Sequence, residues 1–126
     1  GIPGIESRFI SLYSEGVVPG RITLEVFVKA VSCTPAKVFG LWPKKGNLMP
    51  GADADIVLLD PTESWIMNRD SLHMSTDWSV FDDKKTTGKI QKVYSRGELI
   101  IDGENCLGDP GRGQYLHRKL PGRLQY

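Results

Sequence analysis

His73 and His117 are the only histidines in this 126-residue chain, and they lie far apart in sequence. His73 and Asp77 stand at i, i+4 spacing, which on a helix would set an imidazole and a carboxylate on one face as metal ligands or as an acid–base pair. The stretch between them, "HMSTD", has no helical pattern, so His73 reads as a hydrogen-bonded loop histidine. With no CxxC, HExxH or His-x-His run, a zinc site complete within these residues is not expected. Cys33 precedes a helix start, where the positive end of the dipole could lower a thiol pKa. A nucleophile also needs a base and a group to orient it, and none can be placed beside Cys33, which reads instead as a small buried residue. "GADAD" offers Asp53 and Asp55 as a carboxylate pair; the preferred reading is a turn entering a strand, with both side chains bonded to local backbone. "GDPGRG" has phosphate-loop-like glycines without the strand–loop–helix that would aim them. Arg112, Arg118, Lys119 and Arg123 form a basic tail without an aromatic platform, which reads as solvated or as a subunit contact. No catalytic set closes within these residues.

Bulk properties narrow the classes. The length fits one domain, and 40% hydrophobic with 25% charged residues is ordinary globular composition. A net charge of +1 gives no electrostatic case for nucleic acid or a membrane surface. The apolar runs are too short to span a bilayer, and no basic segment followed by an apolar one addresses the chain for export. Two cysteines cannot make a disulfide framework. They read as reduced thiols of a cytoplasmic protein, a single bridge remaining open because sequence does not measure their separation.

The elements that must position these groups fall into two kinds. Ile5, Phe9, Leu12 and Tyr13 recur at helical spacing, predicting a helix over residues 5–15 capped by Gly16. Thr23 caps a second helix over residues 24–32, whose stripe is Leu24, Phe27, Val28 and Val31. "CTPAKVFGL" is a third, short helix, with Thr34 as cap, Pro35 in the first turn and Gly40 as stop. Strands follow: "IVLLD" ended by Pro61, "SWIMN", and "KIQKVYSRGELIIDGE", a hairpin turning at Arg96-Gly97. Residues 70–88 read as a long ordered loop. Four short strands neither close a barrel nor build two sheets unaided, so an apolar face and strand edges would stand open.

The order of motifs is specific. "GIPGIESR", "GRITL", "TPAKVFGL", a lysine–glycine turn, "PGADADIVLLDP", "HMSTDWSVFDDKKTTGKIQKVYSRGELIIDGE" and "GRGQYLHRK" together resemble the C-terminal third of the cyclic amidohydrolases. That group comprises hydantoinases, dihydropyrimidinases, allantoinases and dihydroorotases. "GIESR" with Arg8 and the "RGQYLHRK" tail are most similar to the hydantoinase and dihydropyrimidinase branch.

The resemblance implies an α/β protein: the end of a metal-dependent hydrolase TIM barrel plus the C-terminal half of a β-sandwich assembled from both chain ends. Residues 1–46 would be the last barrel loop and helices, 47–107 the closing sandwich strands, and 108–126 the tail. It implies hydrolytic opening of a cyclic amide or ureide ring by two divalent metal ions, zinc in the usual case, held by ligands upstream of Gly1. Only the backbone of Gly1 and Ile2, in the loop after the last barrel strand, would then lie beside substrate, and Gly1 would be a cut end. The implied partners are the missing N-terminal barrel portion, further copies of the chain in a homo-oligomer (a tetramer in the family) and a cyclic amide substrate, with no nucleic acid and no membrane. The alternative within the same fold is a non-catalytic assembly protein.

Overall fold

The computed structural model describes residues 3–120. The first apolar stripe forms α1 (Ile5–Leu12), but the winding does not end at Gly16 as expected. It continues through a π-helical turn, Tyr13–Val17, in which the Val18 N–H bonds back to the Tyr13 carbonyl at 3.2 Å. Gly16 is therefore not a cap. It is buried, and a Cβ there would come within 2.9 Å of Ile22 Cδ1, so the residue is small to admit Ile22. Gly20, at φ +75°, makes the reversal instead.

Thr23 caps the next helix as its sequence position demands: its Oγ1 accepts from the Val26 N–H at 3.2 Å. The two helices expected beyond it are one continuous run: α2 (Leu24–Val28), a π turn (Lys29–Cys33) and α3 (Thr34–Val38). Thr34 is helical rather than a cap. In ordinary α winding, the Pro35 ring would collide with the carbonyl four residues back. Here the preceding turn is widened, with the Thr34 N–H bonded to the Lys29 carbonyl, and the chain passes through proline without breaking. Gly40, at φ +68°, does end the run: the Leu41 N–H reaches the Ala36 carbonyl at 2.8 Å and the Gly40 N–H the Lys37 carbonyl at 3.2 Å.

The strands form one antiparallel four-stranded sheet in the order β1 (Ile56–Met67), β2 (Lys84–Ser95), β3 (Glu98–Asp102) and β4 (Asn105–Cys106). "IVLLD" and "SWIMN", expected as two strands, are the halves of β1. Between them Pro61, Thr62 and Glu63 leave the ladder opposite Gly88, as the jump from Asp60↔Lys89 to Ser64↔Thr87 shows. Proline is tolerated there because a bulge needs no ladder donor. Asp60 Oδ1 holds the bulge by accepting from the Thr62 and Glu63 N–H groups at 2.8 and 3.1 Å. The Arg96-Gly97 turn is as expected, both residues at positive φ (53° and 81°). The expected loop ends earlier than predicted, since β2 already begins at Lys84.

The helices lie against the sheet through Ile10, Tyr13, Phe27 and Met67, with Phe27 packed edge-on to Phe9 and Tyr13 at centroid distances of 4.9 and 5.7 Å. This core is small. The accessible surface is 9013 Å² for 14.0 kDa, whereas a compact monomer of that mass exposes about 6,700 Å². Much of what is exposed is apolar: Leu24, Val28, Leu48, Met49 and Ile66 all face outward. A chain that stood alone would not leave so much apolar surface wet.

Candidate functional site

Glu6 lies in the first turn of α1, His73 in the loop after a short 3₁₀ turn (Arg69–Ser71), and Glu104 in the turn between β3 and β4. The 3₁₀ turn is set by Asn68, whose Oδ1 accepts from the Ser71 N–H at 3.0 Å, and this fixes where the chain enters the loop. His73 Nδ1 is 2.7 Å from Glu6 Oε1, its backbone N–H donates to Glu6 Oε2 at 2.7 Å, and its Nε2 is 3.0 Å from the Glu104 carbonyl. The Glu6 carboxylate, then the Glu104 carbonyl, hold the imidazole pKa above its usual range, against partial burial.

Behind this group, between α1 and the sheet, is a cavity of about 300 Å³ with walls that include Ile10, Trp65, Ile90 and Ile101. Lys89 stands on its polar side, with Nζ 3.2 Å from Glu63 Oε1 and 3.9 Å from Glu104 Oε1. The arrangement is an apolar recess closed at one end by ion pairs. It can receive apolar groups; it does not assemble a nucleophile with a base.

His73 is thus a hydrogen-bonded loop histidine, as the sequence suggested, but its partners were not legible: Glu6 is 67 residues away and Glu104 is 31 away. Asp77 is not among them, and offers its main-chain carbonyl to Arg69 Nη1 at 3.1 Å. His117 stacks edge-on against Tyr115, with centroids 5.0 Å apart. Cys33 lies inside the continuous helical run rather than at a helix start, so the dipole argument for its thiol does not apply. Cys33 and Cys106 are both free thiols.

Asp53 and Asp55 do come together, though on a side chain rather than on local backbone. Both carboxylates pair with Lys45, Asp53 Oδ2 at 2.9 Å, and Asp55 Oδ1 also accepts from the Arg96 N–H at 2.9 Å. Burial pushes the Asp55 carboxyl up, but the Lys45 ammonium and the Arg96 amide together hold it below the usual carboxylate range. Asp55 thereby anchors the β2–β3 turn. Arg112 is likewise used internally, reaching the Ser95 carbonyl at 2.9 Å and Glu98 Oε2 at 2.8 Å, while the Lys119 N–H bonds to the Gly40 carbonyl at 2.8 Å. Gly1, Ile2 and Arg123 lie outside the described residues. Among the described residues, no three His, Cys, Asp or Glu side chains converge to hold a metal ion, and no helix is long and apolar enough to cross a membrane.

Residues 4–100 match the Amidohydrolase family. The chain is 46% identical over 124 residues to a D-hydantoinase of Geobacillus stearothermophilus, covering 98% of this chain and 26% of that protein. It is 44% identical over 119 residues to a D-phenylhydantoinase of Escherichia coli, covering 94% and 26%. A solved D-hydantoinase superposes with a TM-score of 0.91 at 40% identity over 94% of this chain and 26% of that one. A dihydropyrimidinase from Brevibacillus agri gives 0.89 at 37% identity over 92% and 25%. The chain therefore spans about a quarter of the length of these relatives. A family match across most of the sequence, joined to the same backbone course of helices and antiparallel sheet, shows that this chain belongs to the amidohydrolase family.

Proposed function

We propose that this chain is the C-terminal part of a hydrolase that opens a cyclic amide or ureide ring of the hydantoin or dihydropyrimidine type. The observation that carries the reading is the end-to-end likeness to D-hydantoinase over 98% of this chain but 26% of that relative. The uncovered apolar surface agrees, since a larger body must cover it. On this reading residues 1–46 are the last loop and helices of a TIM barrel, 47–107 the closing strands of a sandwich, and 108–126 the tail. The Gly1 and Ile2 backbone then borders the substrate, where glycine admits a close approach.

The family is metal-dependent, and the reading calls for two divalent ions, zinc in the first instance. The described residues do not fit them. His73 is engaged at both ring nitrogens, and Asp53 and Asp55 are spent on Lys45. The ions belong to the remaining three-quarters of the polypeptide, and no step through them is assigned to this chain. The partners on this reading are that remaining polypeptide, a cyclic amide and further copies in a homo-oligomer, a tetramer. The free thiols of Cys33 and Cys106 support a cytoplasmic setting.

The test compares a polypeptide of the relatives' length, ending in these residues, with this chain alone. Both are given hydantoin and dihydrouracil, ring opening is followed by chromatography, and bound metal is counted. Turnover and about two ions per subunit in the long polypeptide, with neither in the short one, is the expected result. A long, folded, metal-loaded polypeptide that opens neither ring would refute the reading.

A further inference from the structure

The His73 ring meets an oxygen acceptor at each nitrogen, Glu6 Oε1 at Nδ1 and the Glu104 carbonyl at Nε2. A neutral imidazole has one N–H and satisfies one of them; the imidazolium donates to both. The His73 N–H adds its bond to Glu6 Oε2, so the carboxylate is gripped through both oxygens. One side chain thus ties α1 to the β3–β4 turn and to the loop after β1.

We propose that His73, as an imidazolium, is a positioning residue that fixes the first turn of α1 and, with it, Pro3 and Gly4 at the entry to that helix. Its consequence for catalysis rests on the ring-opening reading above; the clamp itself does not.

The charges around the ring are arranged for this. Glu6 faces it from α1 and Glu104 from the β3–β4 turn. Lys89 of β2, a cation lining the cavity between α1 and the sheet, is paired with Glu63 of β1 and lies 3.9 Å from the Glu104 carboxylate. Cys106 of β4 lines the same cavity. With its pKa raised, the His73 clamp is complete below the ordinary imidazole value of 6.5 and fades as pH climbs through the raised value.

Hydrogen exchange on the polypeptide of the relatives' length reads the clamp directly, because the Arg8 amide closes the first turn on the Gly4 carbonyl at 3.1 Å. After correction for intrinsic rates, exchange at Arg8 should quicken roughly 1.5- to fivefold as His73 loses its proton, the range for a partly exposed charged pair. His73→Ala should exchange at the fast rate at every pH. His73→Asn, whose amide N–H replaces Nδ1 and does not titrate, should stay slow and flat. Protection in the parent that ignores pH, or that survives His73→Ala, overturns the clamp. In the second arm, His73→Ala should raise KM for hydantoin with kcat little changed, and His73→Asn should restore KM. An unchanged KM in a variant whose Arg8 exchange has quickened overturns the positioning role. A polypeptide with no ring-opening activity overturns the functional reading alone, the exchange result still deciding the clamp.

Discussion

Gly88→Ala is the sharpest probe of how the helices meet the sheet. Gly88 sits in β2 opposite the β1 bulge at φ +94°, and a Cβ there would lie 2.7 Å from two carbons of the Tyr13 ring and 3.4 Å from Ile10 Cδ1. Two costs combine. An L-residue at positive φ loses about 1–2 kcal/mol. Overpacking against a ring held in the core adds about 1–3 kcal/mol. Gly97→Ala isolates the first cost, because Gly97 is at φ +81° with nothing within 4 Å of its would-be Cβ. Gly88→Ala should therefore be less stable than Gly97→Ala by about 1–3 kcal/mol, an additional fall of roughly 1 M in the urea midpoint at ordinary m-values. Urea unfolding followed by circular dichroism measures both. Tyr13→Ala should then relieve part of the Gly88→Ala cost, giving a coupling of about 0.5–3 kcal/mol in the double-mutant cycle. If the two glycine variants lose the same stability and the cycle shows no coupling, α1 does not rest on β2 as described.

Thr23→Ala removes the side-chain oxygen that receives the Val26 N–H and should cost about 1 kcal/mol, with Thr23→Ser nearly neutral, read as shifts in Tm. Phe27→Ala empties the centre of the helical layer, where Phe27 is 2% exposed, and should cost about 3–5 kcal/mol, measured by urea unfolding. Asp55 carries a lowered pKa, so its contribution is present above its ordinary value of 3.8 and is lost as pH falls through the lowered one. Asp55→Asn should accordingly lower stability by about 1 kcal/mol near neutrality, a figure already reduced for its partial exposure, and the gap to the parent should close in acid titrations of Tm.

Local chemistry was legible, and winding was not. The Arg96-Gly97 turn and the Thr23 cap follow from residues adjacent in sequence, and both are as expected. Gly16 and Thr34 each fit a helix end by their letters, while the chain is carried past both by π turns that no residue pattern announces. Pro61 looked like the end of a strand because proline excludes a ladder position, and a bulge removes that position without ending the strand. The histidine is visible in the sequence but its role is not: its carboxylate lies 67 residues away, and no periodicity joins Glu6 to His73. The same holds for Lys45, which gathers Asp53 and Asp55 where a bond to local backbone was expected.

On the proposed reading, these residues fold against a larger body that supplies the reacting centre. The most direct measurement of this is association: this chain mixed with the remaining three-quarters of a polypeptide of the relatives' length, each expressed separately, and sedimented. A one-to-one complex that regains ring opening, with slowed amide exchange in α2, α3 and β1, is predicted. A chain that stays a lone monomer and ignores the other piece would contradict it.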